Sequence, residues 1–114
     1  MKHTESKLQS ACVQWFRTQY PRTVIFAIPN GGNRNPITGA ILKREGAMAG
    51  VADLFVMRSN LTYSGLFIEM KAGKGKASEA QETFAQAAIV AGYAYYTCRS
   101  FDEFTSTVNT YMSL

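Results

Sequence analysis

Two acids and a lysine stand on short apolar segments of this chain. Asp53 lies in Gly50-Val51-Ala52-Asp53-Leu54-Phe55, and Glu69 and Lys71 lie in Ile68-Glu69-Met70-Lys71. Burying a charge without a partner is expensive, so acids on such segments usually pair or hold metal. Read as a strand, residues 66–71 alternate between faces. Glu69 and Lys71 then share a face with Phe67, about 7 Å apart along the chain, while Leu66, Ile68 and Met70 turn the other way. Asp53 begins the neighbouring strand, where its carboxylate can reach the same spot. Two carboxylates and a backbone carbonyl suit a hard cation such as Mg²⁺, which keeps several waters for a phosphate to displace. Such a metal offsets charge in a phosphoryl transition state and acidifies water. Lys71 would orient or deprotonate that water, or neutralise a phosphate oxygen. The same spacing also describes an exposed ion pair between Lys71 and one acid, worth at most about 1 kcal/mol. Spacing alone admits both.

The elements that must position these residues are legible in outline. From about Glu5 to Gln19, the residues Leu8, Ala11, Cys12, Trp15 and Phe16 recur at helical spacing, with Thr4 as N-cap and Pro21 as stop. Residues 23–28 are β-branched and aromatic, which predicts a strand. The segment 29–36 is too rich in turn formers for regular structure. A short helix follows over about 38–47, then two strands over 51–57 and 66–71. A flexible basic linker, Ala72-Gly73-Lys74-Gly75-Lys76, leads to a helix opened by Ser78 and closed by Gly92. A strand over 93–98 precedes a last helix, where Ser100 and Glu103 form a capping-box pattern. The order α, β, α, β, β, α, β, α implies an α/β fold, a central mixed sheet flanked by helices.

A chain of 114 residues with 46% hydrophobic composition fits one compact domain, residues 1–114. Twelve Lys+Arg against eight Asp+Glu give +4, which favours a polyanionic partner. Cys12 and Cys98 lie far apart and His3 is the single histidine, so no zinc knuckle is present and two buried thiols are expected. No apolar run approaches the roughly 20 residues needed to span a bilayer. The N-terminus lacks the apolar core of a signal peptide. A cytoplasmic location without membrane association is the expectation.

The ordered set of motifs resembles the PD-(D/E)xK nuclease superfamily and, within it, the VRR-NUC family of virus-type replication-repair nucleases. Most of the chain carries the likeness. It comprises an acid early in the first helix (Glu5), the Pro29-Asn30-Gly31-Gly32 turn with Arg34, and the 46–53 segment leading into Asp53-Leu54. Ile68-Glu69-Met70-Lys71 and a helix bearing Gln81 complete it. Ala52 departs from the proline that the superfamily's name implies before the aspartate. That position shapes a turn and binds no metal.

The resemblance implies a restriction-endonuclease-like fold and Mg²⁺- or Mn²⁺-dependent phosphodiester hydrolysis. By it, Asp53 and Glu69 hold the metal with the backbone carbonyl of Met70, and Lys71 is the catalytic lysine. Glu5 approaches the metal directly or through water, and Gln9, one turn on, supports the site. The resemblance also places Gln81 beside the active site, although as N3 of a capping box it has a complete structural explanation. Glu5 likewise would favour the helix dipole without any metal. Asn30 and Arg34 are candidate DNA contacts, the glycines between them letting backbone approach a phosphate. Lys43, Arg44, Lys74 and Lys76 are candidates for a phosphate track. Trp15, Tyr93, Tyr95 and Tyr96 read as core or interface. Stand-alone members resembling this chain are expected to act as homodimers on branched DNA such as four-way junctions. The exposed aromatics of the last strand and helix are the expected dimer surface. Two rivals are a flap or nicking nuclease needing a partner protein, and a catalytically silent nucleic-acid-binding module.

Overall fold

The computed structural model describes residues 3–29 and 35–114. Among the described residues four helices and four strands follow in the expected order: α1 (His3–Gln19), β1 (Val24–Ala27), α2 (Pro36–Arg44), β2 (Leu54–Met57), β3 (Leu66–Met70), α3 (Glu79–Val90), β4 (Ala94–Cys98) and α4 (Phe101–Met112). The strands form one sheet in the order β1-β2-β3-β4. The β1/β2 and β2/β3 pairs are antiparallel and β3/β4 is parallel. A parallel return requires a crossover, and α3 supplies it.

One sheet face makes the core. Ile25, Leu54, Val56, Leu66, Ile68, Met70, Ala94 and Cys98 pack against Cys12 and Phe16 of α1 and Phe104, Val108, Tyr111 and Met112 of α4. The period-2 reading of residues 66–70 is therefore correct for its apolar half. The other face carries an aromatic row, with ring centroids 5.8 Å apart for Phe26–Phe55, 4.7 Å for Phe55–Phe67 and 5.1 Å for Phe67–Phe84. Phe84 brings α3 onto that row.

Capping accounts for the helix ends. Ser78 and Gln81 form a reciprocal capping box at α3. At its other end Gly92 (φ +99°) donates to Ile89 and Tyr93 to Ala88, the Schellman pattern that glycine permits. Ser100 accepts from the Glu103 N–H at 3.1 Å, but the Glu103 carboxylate reaches the Arg99 N–H at 2.7 Å, one residue before the expected box partner. Helix α1 begins at His3, so Thr4 lies inside its first turn rather than capping it. Helix α2 starts at Pro36, capped by the Asn35 side chain, and buries none of its residues. Cys12 and Cys98 are buried free thiols. Burial, and then the neighbouring Cys98, push the Cys12 thiol up to about 11, leaving it protonated and inert. Among the described residues no helix is long and apolar enough to cross a membrane.

Candidate active site

Asp53 and Glu69 meet at the end of the β2/β3 ladder. Leu54 pairs with Ile68, so one step further along that register Asp53 stands opposite Glu69. Cross-strand neighbours hold their Cβ atoms about 5 Å apart. Strand β2 begins at Leu54, later than the expected residue 51, and Asp53 just before it is bonded to the segments on either side. Asp53 Oδ2 accepts from the Met70 N–H at 2.7 Å, and the Asp53 carbonyl accepts from the Ile28 N–H at 2.8 Å. Neighbours on both sides thus fix this aspartate.

Glu69 is only 5% exposed. Its Oε2 accepts from Gln81 Nε2 at 2.9 Å, and its Oε1 is buried without a hydrogen-bond partner among the described residues. Gln81 serves both roles that the sequence left open. Its Oε1 accepts from the Ser78 N–H at 2.9 Å, closing the capping box, while its amide holds Glu69. The first turn of α3 is placed by Gly50, whose φ is +90°. A Cβ there would lie 2.3 Å from the Ala80 carbonyl oxygen. Only glycine permits that approach.

The electrostatics are those of a crowded acid site. Burial pushes Glu69 up to about 7; the Asp53 charge adds to this and Lys71 opposes it. Asp53 is also raised, first by burial, against the lowering effect of the Met70 N–H and with a further rise from Glu5. The two carboxyls are close enough to share a proton. Half-buried Lys71 follows β3, its backbone N–H donating to the Cys98 carbonyl at 3.1 Å. Its charge acts on both acids, yet among the described residues no ion pair ties its amine to either. The salt-bridged strand edge is therefore not the arrangement found.

These residues fit a hard divalent cation. A buried carboxylate oxygen lacking any donor is a standing cost that bound metal removes. Among the described residues no three acidic, histidine or cysteine side chains gather into a closed metal-binding group. The fit is to two carboxylates with waters completing the shell, the usual habit of Mg²⁺. Glu5, half-buried in the first turn of α1, acts on both acids through its charge and closes no third position among the described residues.

The sequence places Tyr95 in the core or at an interface. Its ring centroid is 6.2 Å from that of Phe84, and Phe67 is its register partner, so it shares the face of Glu69. Burial pushes its hydroxyl up to about 12, with the Glu69 and Asp53 charges adding to the rise. The alternation of β4 was the available signal, but it requires the β3/β4 register to be known. Lys74 and Lys76 are exposed on the loop after β3, whose Gly73 carbonyl accepts from Arg99 at 2.9 Å. Lys43 and Arg44 are exposed in the last turn of α2. Asn30 and Arg34 lie outside the described residues. Trp15 and Tyr93 are half-buried, and Tyr96 is 46% and Phe101 39% exposed.

The VRR-NUC domain family profile matches residues 3–102. A solved structure described as a VRR_NUC domain protein is 25% identical to this chain, with a TM-score of 0.81 over 100% of this chain and 92% of that one. No curated protein gives a significant match.

Proposed function

The chain belongs to the VRR-NUC domain family, a nuclease-type family, and from that premise we propose that it is a metal-dependent DNA endonuclease. The observation that carries this reading is Glu69. It is a buried acid facing Asp53, oriented by Gln81, with one oxygen lacking a donor among the described residues. A protein that only gripped phosphates would gain nothing from two acids turned toward them.

Asp53, Glu69 and the Met70 carbonyl would hold Mg²⁺ or Mn²⁺, with Glu5 acting through water. When bound, the ion supplies charge neutralisation for the phosphoryl group and an acidified water. The chain's own part is positioning. The Met70 N–H fixes the Asp53 carboxylate, and Gln81 fixes that of Glu69. The Lys71 amine, unpaired with either acid, is available to orient the attacking water or to hold a phosphate oxygen. Lys74 and Lys76 on the Arg99-tethered loop, with Lys43 and Arg44, would neutralise flanking phosphates.

We assign branched DNA such as four-way junctions as substrate and a homodimer as the acting form. A domain of 12.6 kDa offers little surface, whereas a two-fold pair presents two sites to two strands. The test is cleavage of labelled duplex, flap and four-way-junction DNA by purified protein with Mg²⁺, Mn²⁺ or EDTA. Metal-dependent cutting with preference for the junction is expected. No cutting of any substrate would overturn the enzyme, and a flap preference would overturn the junction assignment. Light scattering should give twice the chain mass.

A further inference from the structure

A groove of about 600 Å³ runs between α1 and β1, lined by Ser6, Gln9, Ser10, Gln14, Arg17 and Thr18 of the helix and closed by Ala27 of the strand. We infer that this groove carries one strand of the nucleic-acid substrate away from the acidic site. The inference rests on the nuclease reading above and deepens it.

Helical spacing brings these residues to one face of α1, over ~18 Å at 1.5 Å per residue. The lining holds three hydroxyls, two carboxamides and a guanidinium, and no carboxylate. Those are the groups that bind phosphate and sugar in nucleic-acid complexes.

One end of the groove adjoins the acid pair. Ser6 follows Glu5, whose charge acts on Asp53 and Glu69. Ala27 precedes Ile28, whose N–H donates to the Asp53 carbonyl. At the same end Gln9 Oε1 is buried without a partner among the described residues, an acceptor open to a donor from a ligand or its water. Toward the other end Arg17 donates to the Ile25 carbonyl at 3.1 Å and keeps further N–H groups for an anion.

That bond also decides between occupants. β1 is an edge strand. Since Ile28 bonds toward Asp53, alternation turns the Ile25 and Ala27 backbone groups outward. A β-strand from a second chain would need the Ile25 carbonyl, which Arg17 already occupies. A charged, hydroxyl-lined trough with a blocked edge fits a phosphodiester chain better than an added strand.

The test measures binding of fluorescein-labelled single-stranded, duplex and four-way-junction DNA by anisotropy in EDTA. Variants are Ser10→Glu, Gln14→Glu and Arg17→Gln, with Ser106→Glu on exposed α4 surface as control. Ser10→Glu and Gln14→Glu should each weaken binding at least tenfold beyond the control while melting as wild type does. Arg17→Gln should lower the slope of log K against log salt by about 0.9, the loss of one phosphate contact. Binding equal to the Ser106→Glu control would overturn the groove while leaving metal-dependent cleavage by wild type, and so the nuclease reading, standing. A change of mass in solution with unchanged DNA affinity would assign the groove to a second copy and likewise overturn it. Failure of wild type to bind or cut any of these DNAs would instead overturn the nuclease reading beneath it.

Discussion

Replacing Glu69 by glutamine should stabilise the metal-free protein while abolishing its activity. The carboxyl is raised from an ordinary 4.5 to about 7, with burial the largest cause and the Asp53 charge the next. A carboxyl raised on folding keeps its proton where the unfolded chain has lost it. Its favourable contribution is therefore complete below pH 4.5 and disappears as pH rises through about 7. That rise corresponds to ~3 kcal/mol of unfavourable ionisation at pH 8. Glutamine has the same shape, can still accept from Gln81 and never ionises. Against that gain stands ~1 kcal/mol for an amide less well matched to its donors. Glu69→Gln should thus add about 2 kcal/mol at pH 8 in EDTA, raising Tm by roughly 8 °C. At pH 4.5 the gain should vanish or reverse. Thermal melts at both pH values, read by circular dichroism, test this directly. If the variant melts below wild type at pH 8 as well, Glu69 is not a strained acid. The reasoning from its orphaned oxygen then fails.

Metal should relieve the same strain, so Mg²⁺ or Mn²⁺ should raise the wild-type Tm more at pH 8 than at pH 5.5 and leave Glu69→Gln nearly unmoved. Gly50→Ala should lose at least ~2 kcal/mol, from the left-handed backbone and the overlap with the Ala80 carbonyl 2.3 Å away. Gly46→Ala, with φ +112° and nothing near its Cβ, should lose only ~1 kcal/mol; equal losses in urea titrations would remove the close approach as the cause. Gln81→Ala should weaken Mn²⁺ affinity about tenfold, measured by calorimetry, because the carboxylate it orients is then free to turn; an unchanged affinity would reduce Gln81 to a helix cap. Arg99→Ala frees the Gly73 carbonyl and should raise KM for DNA severalfold with kcat little changed, since the loop carrying Lys74 and Lys76 loses its tether.

The number and order of the elements were readable because each has a local cause. Cys12 and Phe16 at helical spacing, Ser78 with Gln81, and Gly92 after α3 all act within a few residues of themselves. The meeting of Asp53 with Glu69 was readable for a similar reason, once alternation put Glu69 and Phe67 on one face. The burial of Glu69 was less visible, because it depends on α3 folding over the aromatic row and on Gly50 admitting the Ala80 carbonyl. Both are contacts between segments distant in sequence. Tyr95 was missed on the same ground, as only the β3/β4 register brings its hydroxyl into the field of the acids. The short span of β2 was not foreseeable from apolar pattern either. It begins after Asp53, whose side chain takes the Met70 N–H that the register directs toward the backbone of Ala52.

The central claim is that Asp53, Glu69 and Lys71 form a hydrolytic centre rather than a binding surface. It is tested most directly by single-turnover cleavage of a labelled four-way junction with Mn²⁺, comparing wild type with Asp53→Asn and Lys71→Ala. The account predicts that wild type cuts, that both variants lose at least a thousandfold in rate, and that both still bind the junction. Cutting by either variant at near the wild-type rate would contradict it.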